Sequence, residues 1–168
     1  MEQRIIMKRI DQILSHPVFR EQFALLQEAE KDRIFCRHTM EHFLDVARLM
    51  YIYNLEDGAG IEKDIIYAAA LLHDIGRYEQ ISRGTPHDIA GSRLAEVIMR
   101  DCDFTEEEIS WVKRAISGHR ISKNDEHTKP SLEVYLYRAD KQSRNCFFCP
   151  AYGECNWPEE KKNKNICY

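Results

Sequence analysis

Apolar side chains return at every third or fourth position along most of this chain, the spacing of one buried helical face. Ile5, Ile6, Ile10, Ile13 and Leu14 line a first such face. Pro17 ends it, because proline has no amide proton to give to a helix. Phe19, Phe23, Leu25, Leu26 and Ala29 line a second face. A long third helix is expected from Cys36 to about Tyr53, with Phe43, Val46, Ala47, Leu49 and Met50 turned inward. Asp57-Gly58-Ala59-Gly60 reads as a turn. The stretch from Ile61 to Asp74 contains Ile65 to Leu72, which is apolar on all sides. Its three consecutive alanines and the lack of flanking β-branched alternation favour a buried helix over a buried strand.

Gly76 to Pro86 reads as a loop, and a further helix runs from about His87 to Arg100. The next start is sharply marked. Thr105 can cap, Glu108 stands three residues on to complete a capping box, and Phe104 can staple to Ile109. That helix continues through Val112 and Ile116, and Ser131 opens a last one that ends near Arg144. No hairpin signal and no internal repeat is present. The expected fold is all-α and single-domain. Residues 1–35 are helices packing on the core, 36–144 form the core, and 145–168 are a short irregular tail rich in Cys.

Composition narrows the function. A chain of 168 residues suits one core, and 43% apolar with 31% charged residues is ordinary globular usage. Lys plus Arg is 24 against 28 Asp plus Glu, a formal charge of −4, which argues against an extended nucleic-acid face. It leaves room for a small phosphorylated ligand in a local basic pocket. The longest apolar run, Ile65 to Leu72, falls well short of the roughly 20 residues a membrane span needs. MEQRIIMKRI has no signal-peptide pattern. A cytoplasmic protein without a membrane partner is therefore expected, with the oligomeric state open. In a reducing compartment its 6 Cys are seldom disulfides. Cys102, with no ligand-type neighbour at zinc spacing, reads as a small core residue.

The 7 His are unevenly placed. His73-Asp74 directly follows the apolar run, so both lie near the interior, where an unpaired ionisable group costs roughly several kcal/mol. A metal ion removes that cost, since imidazole and carboxylate are natural ligands; a capping Asp beside a satisfied His is the plainer reading. The pair does not stand alone. His42 adjoins the inward face of the third helix, with His38 four residues before it. His87 heads a helix, His119 ends one, and Asp140 sits in Ala139-Asp140-Lys141 on a buried face. His16 and His127 lie in polar segments near prolines and read as surface residues.

This order, with Leu71-Leu72-His73-Asp74-Ile75-Gly76 and His42 followed by Val46-Ala47, resembles the HD-domain superfamily of metal-dependent phosphohydrolases over about residues 36 to 144. The resemblance implies that His42, His73, Asp74 and Asp140 hold a first metal. His87 and His119 match added ligands of a two-metal subset, which includes hydrolases of dinucleoside tetraphosphates and cyclic-dinucleotide phosphodiesterases. His38 has no counterpart there; an added ligand, a substrate contact and a residue at the surface or behind the ligands all stay open. The implied ion is Fe or Mn, which would activate a bound water, with Asp74 suited to bridge two ions. Lys141, Arg77, Arg120 and Arg144 are the cations placed to bind phosphate. The implied activity is hydrolysis of a nucleotide or similar small phosphate ester; the alternative is a non-hydrolytic sensing or ligand-binding protein. Arg77 stands where many two-metal phosphodiesterases of the superfamily have Lys, and the Gly-Tyr-Pro element of the cyclic-dinucleotide group is missing.

The tail carries a second pattern. Cys146, Cys149 and Cys155 form C-x2-C-x5-C, with Pro150 and Gly153 shaping the loop. A C-x2-C loop places two sulfurs on one ion, so Zn or an iron–sulfur cluster is expected. The fourth ligand is Cys36 or Cys167. Cys36 lies six residues before His42 and Cys146 six after Asp140. If the helices carrying His42 and Asp140 run antiparallel, both cysteines extend the same way, which favours Cys36. A redox pair would want a thioredoxin-like setting that is missing here. Nucleic-acid binding would want a basic tail, and Lys161, Lys162 and Lys164 are opposed by Glu159 and Glu160.

Overall fold

Several helices start where a side chain takes over backbone amides that lack an intrahelical partner. The computed structural model describes residues 6–118, 129–166 and 168. Its α-helices are α1 (Lys8–Ser15), α2 (Pro17–Ala29), α3 (Met40–Glu56), α4 (Lys63–Leu72), α5 (Arg77–Arg83), α6 (His87–Asp101), α7 (Glu106–Gly118) and α8 (Leu132–Gln142). Three 3-10 turns follow, at Cys146–Phe148, Tyr152–Glu154 and Glu159–Lys161. No strand occurs among the described residues, and none of the helices is long and apolar enough to cross a membrane.

The capping box forms as expected: the Thr105 amide donates to Glu108 Oε2 at 2.7 Å and the Glu108 amide to Thr105 Oγ1 at 3.3 Å. Ser131 Oγ accepts from the Val134 amide at 3.3 Å and starts α8. Three expectations are corrected. α3 begins at Met40 rather than Cys36, because Thr39 caps it by accepting from the His42 amide at 3.4 Å. His38 therefore lies ahead of the helix. The stretch after Gly76 is not all loop, since α5 occupies most of it before Gly84 ends the helix at φ +74. His16 is half-buried rather than a plain surface residue, because its Nδ1 caps α2 by accepting from the Val18 amide at 3.2 Å. His127 lies outside the described residues.

α4 is the hub. It packs against α1, α3, α6, α7 and α8, so every residue from Ile65 to Leu72 except Tyr67 is buried. Ala68, Ala69 and Ala70 let its neighbours approach closely. Cys102 is buried among the core side chains, as expected of a small apolar residue. α3 and α8 run antiparallel: Ser143, just past the end of α8, meets His42 near the start of α3, whereas Asp57 beyond the end of α3 accepts from Tyr135 near the start of α8. The Arg138 guanidinium lies 4.1 Å from the centre of the Tyr53 ring in the same seam. Arg9 ties α1 to the rest, with Nε 3.0 Å from Asp64 Oδ2 and Nη1 2.8 Å from Glu108 Oε1.

The turn after His73-Asp74 runs hard against the first turn of α6. A Cβ at Gly76 would lie 2.4 Å from both the Gly91 nitrogen and the His87 carbonyl oxygen. At Gly91 it would lie 3.4 Å from the His73 carbonyl oxygen. Both glycines keep α6 close enough for His87 to reach Asp74. Gly76→Ala is therefore expected to cost about 3 kcal/mol, at the upper end of overpacking, because backbone rather than a flexible side chain must move. Gly153→Ala has nothing within 4 Å of its new Cβ and is expected to be near neutral. Urea unfolding of both variants checks the contrast.

Candidate metal centre

Four imidazoles surround the inner end of α4, and each has its Nδ1 on a hydrogen-bond acceptor. His73 Nδ1 lies 2.7 Å from the Ala70 carbonyl oxygen. His38 Nδ1 lies 2.7 Å from Glu30 Oε1, and Glu30 Oε2 also accepts the His38 amide at 2.8 Å. His87 Nδ1 lies 2.6 Å from Gln80 Oε1. Ser143 gives its proton to the Asp140 carbonyl at 3.1 Å, so its oxygen is left to accept from His42 Nδ1 at 3.3 Å. A carbonyl or carboxylate oxygen can only accept, so each Nδ1 carries the proton. In the neutral ring Nε2 is then a bare lone pair, the form in which imidazole binds metal.

Those Nε2 atoms converge on two carboxylates. His73 Nε2 is 3.2 Å from Asp74 Oδ2 and 3.8 Å from Asp140 Oδ1. His42 Nε2 is 3.6 Å from Asp140 Oδ1. His38 Nε2 is 3.2 Å from Asp74 Oδ2, and His87 Nε2 is 3.5 Å from Asp74 Oδ1. Among the described residues, His42, His73, Asp74 and Asp140 form a group whose ligand-type atoms all lie within 4.8 Å of one another. His42 Nε2 and Asp74 Oδ2 are buried with no hydrogen-bond partner among the described residues. Lone pairs of nitrogen and carboxylate oxygen facing one another repel unless positive charge lies between them. The donor set thus fits a divalent cation, and these four residues could hold one.

The electrostatics agree. Burial, aided by the neighbouring His73, pushes His42 down to about 3, so it stays neutral. Burial also works against charge on His73, but the Asp74 and Asp140 carboxylates outweigh it and carry His73 up to about 10. Burial opposes ionisation of Asp74 and Asp140 too, yet His73 holds both well below the usual carboxylate range. The pocket demands positive charge, and a cation can supply it in place of the proton on His73. Cationic side chains stand at its rim. Arg77 Nε is 2.9 Å from Asp74 Oδ1, Lys141 Nζ is 2.7 Å from Asp140 Oδ2, and Arg144 Nη2 is 3.4 Å from Asp140 Oδ1.

His38, for which a surface position was one reading, is only 2% exposed. Glu30, Gln80 and Ser143 escaped the sequence reading. They act through the ring nitrogens of other residues, and no spacing in the chain announces them. His119, Arg120 and Cys167 lie outside the described residues. The cysteines behave differently from the histidines: no three of Cys36, Cys146, Cys149 and Cys155 have their sulfurs within 4.8 Å of one another.

One protein-family model, described as HD domain, matches residues 39–145. An uncharacterized protein of Clostridium beijerinckii is 46% identical over 139 residues, covering 83% of this chain and 85% of that protein. No solved structure matches the chain.

The buried, neutral His42 gives the protein a measurable acid sensitivity. Its folded pKa of about 3 lies below its ordinary value of 6.5, so below pH 6.5 the unfolded chain takes up a proton that the folded chain refuses. With divalent ions removed by chelator, stability should fall from pH 6.5 towards pH 3, by up to about 1.4 kcal/mol per pH unit from this group. His42→Gln should flatten that slope between pH 6.5 and 4.5. Denaturant unfolding across the range checks it, and an unchanged slope would contradict a neutral His42.

Proposed function

This chain belongs to the HD-domain family, and on that premise we propose that it is a metal-dependent phosphohydrolase acting on a nucleotide or similar small phosphate ester. The observation that carries the reading is the closed group of His42, His73, Asp74 and Asp140, with Nε2 lone pairs and carboxylates turned on one point. A divalent ion bound there, Fe or Mn by the family resemblance, supplies a Lewis acid that activates water and neutralises charge developing at phosphorus.

The chain's own residues do the positioning. Asp74 has its two oxygens facing different neighbours, Oδ2 towards His73 and His38 and Oδ1 towards His87 and Arg77. That would suit it to bridge two ions, with His38 and His87 as added ligands, one on the Oδ2 side shared with His73 and one on the Oδ1 side. Glu30 and Gln80 hold those two rings in the orientation required. Arg77 and Lys141 now neutralise Asp74 and Asp140. Were cations bound in the pocket, those carboxylates would be satisfied and the two side chains would be free to take phosphate oxygens. Arg is suited to bind them bidentately. Lys141, with its side chain 42% exposed, lies nearest to solvent of the groups on Asp140 and is placed to meet an incoming phosphate.

The reading is tested by incubating the protein with manganese or iron and a panel of mononucleotides, dinucleoside polyphosphates and generic phosphate esters. Turnover of at least one member is expected. Asp74→Ala should lower it by more than the roughly 10–100-fold typical of removing a residue behind the ligands. A protein that binds the ions at the His/Asp group yet turns over nothing would be a sensing or ligand-binding member instead. Full activity in Asp74→Ala would contradict the site.

A further inference from the structure

The tail presents a problem of stability that its own side chains do not solve. Between Cys146 and the C-terminus, only Cys146 and Ala151 are buried among the described residues. Phe148 is 87% exposed and Ile166 80% exposed. A segment with so little core needs another source of cohesion, and short segments of this kind commonly take it from a metal or a crosslink. The backbone is nevertheless shaped. The 3-10 turn at Cys146–Phe148 closes with the Cys149 amide on the Cys146 carbonyl at 3.2 Å. The next, at Tyr152–Glu154, closes with the Cys155 amide on the Tyr152 carbonyl at 3.4 Å, and the two turns pack on each other. Each turn therefore delivers a cysteine at its end, and the first begins with one.

The tail is laid against the end of α8. Asn163 Nδ2 donates to the carbonyls of Lys141 and Arg144, each at 2.8 Å. The Trp157 ring lies under the Arg144 guanidinium, 4.7 Å from its centre. Arg144 also lies beside the Cys36 thiol, which with Asp140 raises its pKa against the opposing effect of burial. The antiparallel course of α3 and α8 thus brings the segment before α3 to the point where the tail leaves α8. Cys36 and the three tail cysteines, from two distant stretches of sequence, are thus brought to the same end of the α3–α8 seam, with Arg144 between them.

We propose that Cys36, Cys146, Cys149 and Cys155 form a thiolate-ligated metal centre, a zinc ion or an iron–sulfur cluster, that pins the tail beside the His/Asp group. Each thiol gives up its proton to solvent as it binds. The sulfurs are not drawn into a closed set, and a zinc–thiolate tetrahedron has edges of about 3.8 Å. Loading therefore closes the two 3-10 turns towards Cys36, or fills a wider space with a cluster that carries its own sulfide. Arg144 is the shared element, since it touches the metal-ligand candidate Asp140 on one side and Cys36 and Trp157 on the other.

The test is a count of metal and acid-labile sulfide per chain in full-length protein purified anaerobically without chelator. Wild type, Cys149→Ser, Cys36→Ser and the core control Cys102→Ala are compared, with helical circular dichroism confirming that each is folded. Thiol reactivity is measured before and after metal removal. Either one zinc without sulfide, or iron with sulfide and visible absorption, is expected in wild type and Cys102→Ala and lost from both other variants. Protected thiols should become reactive as the metal leaves. Thiols that are fully reactive in wild type, or a zinc or sulfide content unchanged in either Cys149→Ser or Cys36→Ser, would overturn the proposal.

Discussion

The hydrogen bond at Nδ1 of each buried imidazole is the constraint on which the rest depends. Ala70, Ser143, Glu30 and Gln80 each take that proton from one ring. The consequence is a set of Nε2 atoms that cannot turn away and that face carboxylate oxygens across 3.2 to 3.8 Å. Such an arrangement is costly unless positive charge enters it. The four acceptors come from four different places: the backbone of α4, the end of α8, the end of α2, and α5. The site is therefore a property of the assembled helices rather than of any one motif.

The packing serves this constraint. α4 is apolar all round because five helices press on it, and it delivers His73 and Asp74 into the centre of the molecule at its end. The turn that follows has no room for a side chain at Gly76, so α6 begins against it and His87 comes to rest beside Asp74. The antiparallel seam of α3 and α8 does the same for His42 and Asp140. Tyr135 on Asp57 holds that seam's register at the end away from Ser143 and His42.

Much of this was legible in the sequence. Periodicity located the main helices, because a helix that buries one face must repeat its apolar residues near every 3.6 positions. The ionisable pair directly after the apolar run of α4 marked the centre, and His42, His73, Asp74 and Asp140 are brought together by the structure. The misreadings share a cause. The start of α3 depends on Thr39 capping in competition with a helical pattern that extends back to Cys36. α5 is short and mostly polar, so it has no apolar stripe to betray it. Glu30 lies eight residues before His38, and what makes it matter is the fold of the α2–α3 connection, which no local spacing encodes. The tail is legible as cysteine spacing alone, because among its described residues only Cys146 and Ala151 are buried and it has no hydrophobic pattern.

The imidazoles are held so that Nε2, and not Nδ1, would meet a cation shared with Asp74 and Asp140. A crystal structure of the manganese-loaded protein, with data collected at the manganese absorption edge, tests it most directly. The expected result is an anomalous peak about 2.0–2.3 Å from Nε2 of His42 and His73 and from the carboxylates of Asp74 and Asp140, with Nδ1 of each ring still on its present acceptor. No peak in this pocket at saturating manganese, or a metal bound through Nδ1, would contradict it.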